Sequence, residues 1–325
     1  MSPEQGAVHT CRQSRFPHAP KLPALLLVQG PSMSGKSSAL QRLATEVWVH
    51  KDGKSCFDRI FVFSASVGKT FEDGIDDTWA PVKRLIETQL IDRTNPNHSA
   101  EQFFYDDLDS KAMQALSDIV DMQFRMIELS RKHGRKKEPQ ILIFLDDVSD
   151  NPRWTKSPIL TKLYTRGRHA NITTVSSLHR ARGILQPVVR SQLTGILFFR
   201  QRSALELQAF LEENGGILPD RHDMERIYRI ATQHPFQFLY VDLRSTDPNN
   251  TFYIGFSQVI RISPASGKDV SGSQELSQEG PSAAPAEGRL RQNHRGHAED
   301  PVHGSRHARD GAVHRPTHST AVHAP

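Results

Sequence analysis

An α/β domain with a largely parallel sheet is the fold this chain predicts, and three observations predict it. Apolar runs of strand length alternate with amphipathic stretches between about residue 20 and residue 262. A loop of glycine and serine follows the first of those runs directly. A pair of aspartates closes the most apolar run.

The first expected strand covers residues 24–29. Behind it stands Gly30-Pro31-Ser32-Met33-Ser34-Gly35-Lys36-Ser37, a match to the P-loop pattern G-x-x-x-x-G-K-[ST]. A polyphosphate needs inward-pointing backbone N–H groups, a helix N-terminus and a cation that reaches its outer oxygens. Gly30 and Gly35 permit turns that a side chain would obstruct, Lys36 can reach the β- and γ-phosphates, and the Ser37 hydroxyl can ligate Mg²⁺. Ser38 falls just inside the following helix, near the α-phosphate. ATP and Mg²⁺ are therefore the expected cofactors. The helix itself is read from Leu40, Leu43, Val47 and Trp48, which recur at intervals of three and four or at the end of that face.

Further strands are expected at residues 59–64, 141–145, 172–176, 195–199 and 236–242. The unbroken run Ile141-Leu142-Ile143-Phe144-Leu145 suits a central strand covered on both faces. The longest helix is expected over residues 111–133, where Met113, Leu116, Ile119, Val120, Phe124 and Ile127 form one apolar face that packs on the sheet. After the 141–145 strand, Asp146 is the candidate magnesium ligand and Asp147 the candidate general base. An NTPase needs such carboxylates at the end of a buried strand beside the P-loop. Asp147 is one methylene shorter than the Glu found there in many NTPases. A strand over 172–176 lying beside this one would bring Ser177 or His179 near the γ-phosphate, where a polar side chain can orient water.

Composition divides the chain. Phe256 is the last aromatic residue, and from Ala265 onward seven Lys/Arg balance seven Asp/Glu, so the formal excess of +5 belongs to residues 1–264. Residues 263–325 are too poor in large apolar side chains to offset the entropy of ordering, and are expected to be a disordered low-complexity tail. Seven of the 16 histidines lie there, irregularly spaced and without cysteine, which favours a solvated tail over a metal site. Residues 1–20 are expected to be a flexible lead-in to an ATPase domain over 21–262. They lack the apolar segment of about 7–15 residues that a signal peptide needs, and no later run approaches the ~18 of a membrane span. A soluble, intracellular protein is expected. Cys11 and Cys56 form no disulfide framework or zinc motif. The basic run Arg131, Lys132, His133, Arg135, Lys136 and Lys137 reads as a solvated loop, a contact to phosphate backbone or a nuclear-import signal.

The order of these features resembles the FtsK/HerA superfamily of P-loop DNA motors, and most resembles the DNA-packaging ATPases of poxviruses and other large DNA viruses. The resembling residues span about 24–212 and include GPSMSGKSS, RIFVFSAS, ILIFLDD and TRGRHANITTVSSLHRARGILQPVVRSQLTGILFF. In those motors a Gly-Arg leads into a strand ending in Thr-Gln, and a basic residue and an Asn precede the next strand. Here Gly167-Arg168 leads in, His179 stands in place of the Gln, and Gln192 in place of the Asn. The resemblance implies a RecA-like core of the additional-strand class and a homo-oligomeric ring, commonly a hexamer, that moves duplex DNA into a capsid. It also implies DNA contact through phosphates, a capsid or portal protein as docking partner, and action in a virion or at a viral assembly site. An arginine reaching a neighbour's γ-phosphate follows from the ring, with Arg168 the first candidate and Arg190 the second. Two other readings of the P-loop stay open: a kinase acting on a small molecule, and a nucleotide-binding interaction protein with weak catalysis.

Overall fold

Buried apolar strands need cover on both faces, and the chain supplies it by alternating strands with helices. The computed structural model describes residues 11–68, 77–91, 101–135, 137–148, 151–218, 220–262 and 276–279. Its strands are β1 (Leu25–Gln29), β2 (Arg59–Ser64), β3 (Phe104–Tyr105), β4 (Ile141–Asp146), β5 (Ile172–Leu178), β6 (Gly195–Phe199), β7 (Phe238–Asp242), β8 (Phe252–Ile254), β9 (Gln258–Ile262) and β10 (Leu276–Glu279). They form one sheet in the order β10-β9-β8-β7-β6-β1-β5-β4-β2-β3. From β3 to β6 neighbouring strands are parallel, and from β6 to β10 they are antiparallel.

Strands β1, β4, β5 and β6 are buried along their whole length. β5 lies between the P-loop strand β1 and the aspartate strand β4, which is the additional-strand arrangement the resemblance implies. Register then aligns the ends that matter: Gln29 faces Leu178, and Asp146 faces both Ser177 and Ser64. The loops after β1, β4 and β5 therefore emerge together, at the carboxyl edge of the parallel strands, where open α/β sheets place their ligands.

The helices are α1 (Lys36–Arg42), α2 (Ala80–Leu85), α3 (Ser110–Lys132), α4 (Pro152–Thr155), α5 (Pro158–Arg166), α6 (Pro187–Arg190), α7 (Ala204–Asn214) and α8 (Arg221–Ala231). α1 runs on as a wider π-turn over Leu43–Val47. The Asp109 carboxylate caps α3, accepting from the N–H groups of Lys111 and Ala112, and Leu116, Val120 and Ile127 are buried on its inner face. On that face Gln123 donates to the carbonyls of Pro139 and Ala170 at 2.9 and 2.8 Å, which ties the helix to the turns entering β4 and β5.

Several boundaries differ from expectation. β7 begins at Phe238 rather than at residue 236, because Phe236 has φ 63° and leaves the extended region. The outer antiparallel strands β8 to β10 are not among the strands expected from the sequence. Residues 11–20, expected as a flexible lead-in, are bonded along the sheet: Arg12 pairs with Asp58, the Arg12 N–H donates to Gln140 Oε1 at 3.0 Å, and Trp48 Nε1 donates to the Pro20 carbonyl at 2.9 Å. Of the tail expected over 263–325, the described part is β10, paired with β9. Its histidines lie outside the described residues. Both cysteines are free, and burial pushes each thiol up to about 11. No helix among the described residues is long and apolar enough to cross a membrane.

Candidate functional site

The P-loop is shaped by close approach. A Cβ on Gly30 would lie 2.7 Å from Phe199 Cβ and 2.7 Å from Ser34 Oγ, so only glycine fits between β1 and β6. Gly35 has φ 97°, a left-handed conformation that costs any residue with a Cβ, and Met33 at the exposed tip has φ 63°. The loop is anchored by Gly30 N–H, which donates to the Leu178 carbonyl of β5 at 3.2 Å. It delivers the chain into α1 at Lys36.

Lys36 is buried, and its ammonium donates to the carbonyls of Gly30 and Pro31 at 2.9 and 3.0 Å. Burial lowers its pKa, against the pull of Asp147 and Asp146. Ser37 Oγ stands 3.5 Å from Asp146 Oδ2, and Asp146 accepts a further bond from Ser64 Oγ at 3.1 Å. Burial raises the Asp146 carboxyl above the usual carboxylate range; the Asp147 charge adds to this, while Ser64 and Lys36 oppose it. A buried carboxylate facing a hydroxyl offers hard oxygen donors, the kind that magnesium takes one or two of while keeping waters and phosphate oxygens. Ser34 Oγ is buried inside the loop without a hydrogen-bond partner, as suits a group that turns toward a phosphate. The donors present fit a magnesium nucleotide.

Asp147 has φ 55°, which turns the chain sharply after β4, and its N–H donates to the Ser177 carbonyl at 3.3 Å. Its Oδ1 lies 3.2 Å from His179 Nε2, and His179 Nδ1 lies 3.3 Å from Lys36 Nζ. An ammonium has no acceptor and a carboxylate no donor. The neutral imidazole carrying its proton on Nε2 satisfies both contacts, so His179 links the P-loop lysine to the second aspartate.

Lys36, Ser37, Asp146, Asp147 and His179 thus converge, and Ser177 lines the same edge. Arg168 does not join them. It precedes β5, whose seven residues span about 20 Å at ~3.3 Å each, so it lies at the opposite end of the sheet and is exposed. Arg190 is paired with Glu213 at 2.9 Å. Gln192 lies just before β6, also away from the P-loop. The basic run closes α3 at the far end too, with Arg131 bonded to Glu138 at 2.7 Å. Lys136 is outside the described residues. Sequence reasoning missed the support behind Asp146: Ser64 Oγ meets Ser66 Oγ at 2.8 Å, and Trp79 Nε1 donates to Ser66 at 3.2 Å. A serine ending the apolar run RIFVFS was the available signal, but its value depends on β2 lying beside β4.

Fold and site together define a P-loop at the carboxyl edge of a largely parallel α/β sheet. The motif order resembles that of FtsK/HerA-type ATPases, and comparisons with known proteins give the following likenesses. No family model matches the chain. It is 24% identical over 117 residues to uncharacterized protein 075L of Invertebrate iridescent virus 6, a match covering 36% of this chain and 44% of that relative. Among solved structures it is similar to the genome-packaging NTPase B204 of Sulfolobus turreted icosahedral virus 2 in complex with ATPγS, with 17% identity, a TM-score of 0.44, and coverage of 71% of this chain and 96% of that one. It is also similar to the pCW3 conjugation coupling protein TcpA, with 10% identity, a TM-score of 0.43, and coverage of 72% and 61%. A third likeness is to EssC of Geobacillus thermodenitrificans, with 15% identity, a TM-score of 0.40, and coverage of 76% and 40%.

Proposed function

We propose that this protein is an ATP-hydrolysing DNA translocase of the viral genome-packaging type, acting as a ring of its own copies on duplex DNA. The observation that carries the hydrolytic part is the linkage of Lys36 to His179 and of His179 to Asp147, beside the Ser37–Asp146 pair. Backbone N–H groups of the P-loop and the Lys36 ammonium bind the phosphates. Ser37 and Asp146 would hold Mg²⁺, which when bound to a triphosphate neutralises charge on its oxygens. Asp147 takes the proton of an attacking water, and the Nε2–H of His179 orients the carboxylate for this. Because His179 also contacts Lys36, a phosphate that draws the ammonium away changes the partner of the imidazole and thereby signals occupancy to Asp147.

The motor part is supported by the motif order from residue 24 to 212. DNA contact through phosphates, a ring, a capsid or portal partner and a viral assembly site follow from that resemblance. Arg168, exposed and distant from its own P-loop, is the candidate for reaching a neighbour's γ-phosphate. Steady-state ATP hydrolysis with and without linear duplex DNA, at low and moderate salt, tests the reading beside a Lys36→Ala control. DNA stimulation that salt weakens and the substitution abolishes is the expected result. ATP binding without turnover in any condition overturns it.

A further inference from the structure

A nucleotide seated on the P-loop must send its base away from the carboxylates. Asp146, Asp147 and His179 occupy the β4–β5 side of β1, and on the other side lie β6 and β7. β7 runs antiparallel to β6 with Phe238 opposite Phe199, so the residues just before it overhang the sheet at the P-loop end. The residue placed there is Phe236. The residue is 72% exposed, and its φ of 63° is a left-handed conformation that a bulky residue adopts at a cost. A local turn holds it, with Gln237 N–H donating to the His234 carbonyl at 3.3 Å.

The ring is set against the phosphate loop itself. A Cβ position on Gly35 would be 3.3 Å from Phe236 Cδ1 and 3.6 Å from Phe199 Cε1. On the same side of the loop Phe199 meets Phe238 at 4.9 Å between ring centroids, and Phe238 meets Phe256 at 5.0 Å. One aromatic ring is thus left open to solvent beside the glycine that precedes the phosphate-binding lysine, near a packed aromatic cluster. Strained backbone and exposed apolar surface together are unfavourable for folding, and such features concentrate where a ligand is bound.

We propose that Phe236 is the nucleobase platform of this site, stacking on the base of the nucleotide whose phosphates the P-loop holds. This rests on the P-loop reading above. Stacking uses the π-face that every base has, so the platform discriminates base from no base rather than one purine from another. The test is the equilibrium binding of Mg-ATP, Mg-GTP and inorganic tripolyphosphate to the full chain, its Phe236→Ala and Phe236→Trp variants, and Lys36→Ala. Thermal melts establish that each is folded. Phe236→Ala is expected to weaken ATP and GTP by about 10–100-fold while leaving tripolyphosphate unchanged. Phe236→Trp is expected to retain binding and to show indole fluorescence quenched by ATP but not by tripolyphosphate. Unchanged ATP affinity in a folded Phe236→Ala overturns the proposal, as does an equal loss for ATP and tripolyphosphate, which would make the ring a support of the loop. If the parent chain binds neither ligand, or Lys36→Ala binds ATP as the parent does, the P-loop reading falls and the platform with it.

Discussion

Replacing Gly30 by alanine places a methyl group 2.7 Å from Phe199 Cβ and 2.7 Å from Ser34 Oγ. Carbon atoms rest at about 3.5–4.0 Å, so the contact with Phe199 is short by at least about 0.8 Å. Ser34 is a short side chain that can rotate, but Phe199 cannot retreat: its Cβ is fixed by β6, which pairs with β1 on one side and β7 on the other. The loop must therefore move outward. Overpacking of this kind costs about 1–3 kcal/mol, and at ~2–4 °C per kcal/mol for a domain of ~150–250 residues the melting temperature falls by about 2–12 °C. A displacement near 1 Å in a group that positions reacting atoms reduces turnover by about 100-fold. Thermal melting and Mg-ATP hydrolysis measure the two effects, and Gly216→Ala, with nothing within 4 Å of its added methyl, is the control. A Gly30→Ala protein that melts within about 1 °C of the parent and hydrolyses ATP at the parental rate would refute the argument that β6 shapes the phosphate loop.

Lys36→Ala is expected to abolish Mg-ATP binding in a direct titration while melting no lower than the parent, because burial disfavours the ammonium. Asp146→Asn is expected to remove magnesium-dependent hydrolysis yet stabilise the protein. Burial raises the folded pKa of Asp146 above its ordinary 3.8, so between those values the folded chain keeps a proton that the unfolded chain has released, and stability falls as pH rises through the window. Melting as a function of pH should show a shallower fall for the variant; an identical profile would contradict the assignment. His179→Leu, which can neither donate nor accept, is expected to lower turnover by about 100-fold or more, whereas His179→Gln, able to do both, recovers part of it. Equal rates for the two would remove His179 from the proposed catalytic network.

The P-loop, the central strands β1, β2, β4, β5 and β6, and helix α3 were legible because their signals are local. Gly30 and Gly35 at fixed spacing, a run such as ILIFL, and apolar residues recurring along one helical face each act within a few residues of chain. Asp146 could be marked for the same reason, as the polar residue that ends a buried strand.

What the tertiary structure decided was adjacency. Nothing local places β5 between β1 and β4, so whether Ser177 or His179 would reach the P-loop was open until register set the ends of the three strands together. Ser64 and Trp79 became supports of Asp146 only through that pairing, and Arg168 fell at the far end of β5 for the same reason. Phe236, which reads in sequence as one more apolar strand residue, left the strand through its left-handed φ and stands exposed against Gly35. Side-chain chemistry is written residue by residue along the chain. Which side chains share a site depends on contacts between strands far apart in sequence, and those are set by the burial of the whole sheet.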